Sequence, residues 1–141
     1  MLGLCVAPVV LIGALTTVQT SWHHTDSVDG AIVDVQTCER GFGAHVRATS
    51  SGVYGLGAQY GFQWELGSEW VTTLQPRAGF SYVDHPVDAL PLRTQFELGV
   101  QWSVGRGRWR AALDYWHLSN AGLTAGNVGL DLVSTLIGVV F

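Results

Sequence analysis

Apolar and polar residues alternate with a period of two along most of this chain. Residues 54–65 show the pattern best. Tyr54, Leu56, Ala58, Tyr60, Phe62 and Trp64 fall on one face, and Gly55, Gly57, Gln59, Gly61, Gln63 and Glu65 on the other. Side chains alternate across a strand, so this spacing predicts strand and not helix. Residues 92–104 repeat it, with Phe96, Leu98, Val100, Trp102 and Val104 against Arg93, Gln95, Glu97, Gly99, Gln101 and Ser103. Residues 70–83 set Trp70, Leu74, Ala78, Phe80 and Tyr82 opposite Thr73, Gln75, Arg77 and Ser81. Weaker versions occupy about 15–22, 30–37, 41–49 and 108–119, and a last strand runs over about 128–141. The expectation is about eight strands.

The connections divide into two kinds. Residues 38–40, 66–68 and 105–107 are tight, with Gly67, Gly105 and Gly107 among them. Residues 23–29, 84–91 and 120–127 are longer, and 50–53 is a short exception. Tight turns at one end and longer loops at the other are the pattern of an outer-membrane barrel. Strands of about 9 to 14 residues suit a tilted crossing of a bilayer. An eight-stranded barrel has a narrow interior that side chains fill. Small polar residues fit there, so the bulky apolar face points outward into lipid. Trp64, Trp70, Trp102 and Trp109 fall beside the tight turns and read as an aromatic girdle at one interface. Arg47, Arg77, Arg93, Glu97 and Asp114 are expected to pair inside the barrel. The fold class is therefore all-β, an eight-stranded antiparallel transmembrane β-barrel of the outer-membrane type.

Composition narrows this further. The chain has 141 residues, 48% of them hydrophobic and 13% charged, with 18 Gly, 6 Trp and no Lys. The charged share is about half the usual one. A net charge of −4 offers no basic face and argues against a nucleic-acid partner. Residues 1–14 resemble the apolar region of a signal peptide but lack Lys or Arg before it and a small-residue cleavage site after it. They read either as a signal-peptide remnant or as an extension of the first strand, with the barrel domain over 15–141. Of the two cysteines, Cys5 lies in that apolar run and Cys38 near a turn, and a disulfide between them is not expected. His23 and His24 are adjacent with no third ligand at metal-site spacing, so they read as loop residues. No metal or cofactor is implied.

The candidate chemistry lies near the end of the chain. Tyr115-Trp116-His117-Leu118-Ser119-Asn120-Ala121-Gly122-Leu123 leads to Asn127-Val128-Gly129-Leu130-Asp131. His117 and Ser119 share parity, and an antiparallel return could bring Asp131 beside His117. That would be Ser–His–acid chemistry, in which the hydroxyl attacks, the imidazole takes its proton and the carboxylate orients the imidazole. All three have the parity of the lipid-facing residues Trp109, Ala111, Leu113, Tyr115, Val133, Ile137 and Val139. Polar groups on a lipid face are costly unless paired or functional. The bland alternative is a pair of polar residues at a strand end.

The pattern His117-x-Ser119-Asn120-Ala121-Gly122, then Asn127-x-Gly129-x-Asp131, then ten residues to Phe141, resembles the C-terminal signature of the PagL-type lipid A 3-O-deacylases. The match covers about the last 25 residues, and elsewhere the likeness is one of architecture. One position departs: the family acid is usually Glu, and here it is Asp131. The resemblance implies an outer-membrane esterase that removes the 3-O-linked acyl chain of lipid A, the lipopolysaccharide anchor. Ser119 would be nucleophile, His117 general base and Asp131 the orienting acid. Asn120, Gly122 and Asn127 match positions that could hold the oxyanion or position the substrate. The terminal Phe141 on an alternating strand resembles the signal that outer-membrane barrels present to their insertion machinery. The competing reading is a non-catalytic outer-membrane barrel, structural or adhesive, whose motif has degenerated.

Overall fold

The computed structural model describes residues 2–4, 8–18, 28–86, 90, 92–120 and 129–141. Its strands are β1 (Leu2–Leu4), β2 (Val9–Val18), β3 (Gly30–Gln36), β4 (Phe42–Thr49), β5 (Val53–Tyr60), β6 (Phe62–Leu66), β7 (Trp70–Val83), β8 (Thr94–Arg106), β9 (Trp109–Ser119) and β10 (Leu130–Val140). Every pairing among them is antiparallel. β10 pairs with both β9 and β2, and β7 pairs with both β6 and β8, so the sheet closes on itself. Closure removes the free edges that would otherwise leave backbone groups unpaired in lipid.

β5 and β6 together form one stave of the barrel. Gln59 pairs with Arg77 and Phe62 with Leu74, so the register runs unbroken across the gap. The gap falls where Tyr60 would pair with Pro76, which has no N–H to give to a ladder. Counting β5 and β6 once, eight staves close the barrel. β1 is a short addition along the edge of β6, pairing Leu2–Leu4 with Phe62–Trp64.

The first long strand lies earlier than the sequence suggests. It spans Val9–Val18, so residues 9–14 belong to the barrel wall. Leu11 and Leu15 point inward, 1% and 2% exposed, while Ile12 and Val18 point outward. Both faces are apolar, so the alternation that marks other strands is erased.

The outward face follows the alternation. Leu56, Phe80, Phe96, Leu98, Val100, Trp102, Trp109 and Leu113 are all exposed. The interior has two zones. Midway, Arg77 bridges Asp34 (2.7 Å) and Asp114 (3.2 Å), and Arg47 bridges Asp114 (3.1 Å) and Glu97 (2.9 Å). His45 adds a contact to Glu97 at 2.8 Å. Opposite charges so paired make the burial tolerable, and removing one partner would leave a charge stranded. Toward the long-loop end the filling is instead apolar: Leu15, Ile32, Val53, Val83, Leu90, Trp116, Leu118 and Leu132 form one buried cluster. A uniformly polar lining is therefore corrected to a polar middle beneath an apolar plug. Arg93 is also corrected. It lies outside the interior, at the loop end, and donates to the Tyr82 hydroxyl and the Asp84 carbonyl.

Two further points concern the turn end. Arg40 and Gly41 both take positive φ (51° and 91°), as a tight hairpin turn requires, with Glu39 and Phe42 bonded across it. Cys38 is disulfide-bonded, although a disulfide was not expected. Cys5, His23 and His24 lie outside the described residues.

Candidate functional site

β9 ends at the long-loop end of the barrel with Tyr115, Trp116, His117, Leu118 and Ser119. Its even positions are anchored inward. Trp116 and Leu118 are fully buried in the apolar plug, the Trp116 indole N–H donates to Ser134 Oγ at 3.2 Å, and the Arg47 guanidinium stacks 4.2 Å from its ring. Because successive strand residues alternate, locking Trp116 and Leu118 inside holds Tyr115, His117 and Ser119 outside.

β10 supplies the acid. In the β9–β10 ladder Asp131 stands directly opposite His117. Its Oδ1 lies 2.8 Å from His117 Nδ1. An ionised carboxylate can only accept, so the proton of a neutral imidazole is assigned to Nδ1, leaving Nε2 with a free lone pair. The same Oδ1 accepts a hydrogen bond from the Tyr115 hydroxyl at 2.6 Å. The His117 side chain is 37% exposed and that of Asp131 11%.

Gly129 closes the back of the imidazole. Its φ is +71°, and a Cβ there would lie 2.7 Å from His117 Cε1 and 2.9 Å from Nε2. Only glycine meets both demands without displacing the ring.

Ser119 follows His117 by two residues on the same face, about 7 Å along the strand. Its hydroxyl makes no hydrogen bond among the described residues, so Ser119 and His117 share a face without a bond between them. Asn120, the next residue, is buried at 1% exposure and has a partner in the fold. Gly122 and Asn127 lie outside the described residues.

His117 and Ser119 border an apolar groove of about 490 Å³ on the outer surface, walled by Ala78, Gly79, Phe80, Phe96 and Leu98 of β7 and β8. The Phe80 and Phe96 rings pack with centroids 5.2 Å apart. A separate cavity of about 160 Å³ lies inside the barrel toward the turns, among Gln36, Gln59, Gln75 and Gln101, on the other side of the wall. Among the described residues no group of His, Cys, Asp and Glu is placed to hold a metal ion.

Sequence reasoning named His117, Ser119 and Asp131 but missed Tyr115 and Gly129 as neighbours of the site. Tyr115 carried a signal in its parity, which matches that of His117. Gly129 carried one in its spacing two residues before the acid.

The outward-facing site and the closed barrel can be set beside known proteins. Comparison with curated proteins finds no match. Among solved structures, the crystal structure of Neisserial surface protein A (NspA) is similar, with a TM-score of 0.50 and 11% identity over 94% of this chain and 93% of that one. At that identity the likeness shows the fold alone, an eight-stranded outer-membrane barrel. The family model for lipid A 3-O-deacylase (PagL) matches residues 43–140, from the second residue of β4 to the end of β10. That span covers more than half of the chain, and the protein belongs to the lipid A 3-O-deacylase (PagL) family.

Proposed function

We propose that this protein is an outer-membrane esterase that hydrolyses the 3-O-linked acyl chain of lipid A, with Ser119 as nucleophile, His117 as general base and Asp131 as the orienting acid. The observation that carries the reading is the His117–Asp131 pair at 2.8 Å, set on the lipid-facing wall with Ser119 two residues on. A water-soluble substrate would have no reason to be met there. An ester that is part of a membrane lipid arrives by moving within the leaflet. The long loops of such barrels face the exterior, so a site at that end meets the outer leaflet, where lipid A resides.

The chemistry follows from the residue types. His117 Nε2 accepts the Ser119 proton as Oγ attacks the ester carbonyl, and Asp131 stabilises the imidazolium that forms. The tetrahedral intermediate collapses, the sugar 3-oxygen leaves with the proton from His117, and an acyl-enzyme remains. Water, deprotonated by His117, then releases the fatty acid. The hydroxyl and the imidazole come into line when the ester docks, as catalytic hydrogen bonds often tighten only in the substrate complex. Donors for the oxyanion are assigned to the segment following Ser119, namely Asn120, Gly122 and Asn127. The groove along Phe80, Phe96 and Leu98 suits an acyl chain beside the reacting carbonyl.

Mass spectrometry of lipid A from cells with and without the protein tests the reading. The expected result is loss of one ester-linked chain only when the protein is present, and no loss with Ser119→Ala. An unchanged lipid A profile in cells carrying folded protein would favour the non-catalytic barrel.

A further inference from the structure

We infer that Tyr115 is a positioning residue for Asp131, compensating for an acid one methylene shorter than the glutamate usual in the family. The inference rests on the reading of Ser119, His117 and Asp131 as the reacting set. A shorter acid retreats from the imidazole by roughly 1.3 Å along its own side chain. Yet Asp131 Oδ1 stands 2.8 Å from His117 Nδ1, within ordinary hydrogen-bond range. The Tyr115 hydroxyl accounts for part of this. It donates to that same oxygen at 2.6 Å, from a ring two positions before His117 on β9.

The ladder explains the reach. Across β9 and β10, Tyr115 faces Val133 and His117 faces Asp131, so Tyr115 and Asp131 are diagonal neighbours on the outward face. Diagonal pairs lie farther apart than direct ones, but an aromatic side chain can span them. Two donors thus converge on one carboxylate oxygen from adjacent outward positions of the same strand. This limits rotation of the short side chain and keeps Oδ1 in line with Nδ1. It also supplies a second charge-assisted hydrogen bond to a carboxylate on a lipid-facing wall, where water is scarce. A tyrosine that served only as an interfacial aromatic would place its hydroxyl among headgroups instead.

The test is steady-state deacylation of purified lipid A by the full chain in detergent micelles, read by mass spectrometry. The variants are Tyr115→Phe, Asp131→Glu, the double variant and Ser119→Ala. Phe keeps the ring and its packing and removes only the hydroxyl. Heat-modifiable gel migration confirms that each variant is folded. Tyr115→Phe should lower kcat by about tenfold to a hundredfold with KM little changed, because it misplaces an orienting group without touching the acyl groove. In the Asp131→Glu background the loss from Tyr115→Phe should shrink to less than about threefold, because the longer acid reaches the imidazole without help. An equal loss in both backgrounds would overturn the compensation, as would wild-type kcat in Tyr115→Phe while Ser119→Ala is inactive. Full activity in Ser119→Ala would instead overturn the underlying assignment of the reacting set.

Discussion

Among the described residues two histidine–carboxylate pairs share the same short length, one inside the barrel and one outside. His45 Nε2 lies 2.8 Å from Glu97 Oε1, and His117 Nδ1 lies 2.8 Å from Asp131 Oδ1. Each even has a serine close by in the fold. Inside, Ser81 donates to the other Glu97 oxygen at 2.6 Å. Outside, Ser119 follows His117 on the same strand face. Distance therefore does not separate the two pairs. Surroundings do. The inner pair is wholly buried, with Arg47 2.9 Å from Glu97, and Ser81 is turned toward the acid instead of the imidazole. No ester can reach it. The outer pair has an accessible imidazole, an acid held by Tyr115, and an apolar groove alongside.

Substitution of the two histidines should split the pairs cleanly. His117→Ala or Ser119→Ala should lower kcat by about 10⁴- to 10⁶-fold, since residues of such a set act as a unit. Both lie on the outward face away from the plug, so heat-modifiable migration should match that of the parent. Appreciable deacylation by either variant would place the outer pair in the same class as the inner one.

Asp131→Ala should cost about 10⁴-fold in kcat, because the imidazole loses both its tautomer and the charge that stabilises its protonated form. Asp131→Glu should hold or raise the rate. Equal rates in the parent and both variants would remove the acid from the chemistry.

Gly129→Ala sharpens the contrast at smaller scale. The added carbon would press on His117 at 2.7 Å and force an L-residue into positive φ. The ring must shift, and a misplacement of that order lowers kcat by about tenfold to a hundredfold. The expected readout is a loss of kcat in protein that still shows folded migration.

The inner histidine should give the converse result with the smallest effect on rate. His45→Ala removes a donor from buried Glu97 and should destabilise the barrel by about 1–3 kcal/mol. Denaturant unfolding in micelles measures that loss. Deacylation per folded molecule should remain within about twofold of the parent, and a large drop would tie the inner cluster to the chemistry.

Much of the barrel was legible because strand geometry is local. A side chain's face is set by its parity, so Leu98 outside and Gln101 inside follow from position alone once the strand is recognised. The outward parity of His117, Ser119 and Asp131 follows in the same way, and the spacing of that segment carried the family resemblance. Where both faces were apolar the local signal vanished. Val9–Val18 is the example, since its inner residues Leu11 and Leu15 fill the barrel as its outer residues meet lipid.

What tertiary structure alone decided is which residues meet across strands. Register is a property of the closed sheet, and a slip of one residue reverses every face. The closed register set Asp131 against His117, brought the Tyr115 hydroxyl diagonally onto the same oxygen, and pressed Gly129 against the ring. It also sent Arg93 to the loop end instead of the interior and joined Asp34 and His45 to the buried charges, because those placements depend on where a strand begins and what lies opposite. The sequence by itself determined most of the strands, their two faces and the outward parity of His117, Ser119 and Asp131. The folded barrel decided the partners, since hydrogen bonds between distant residues exist only once closure has chosen the register.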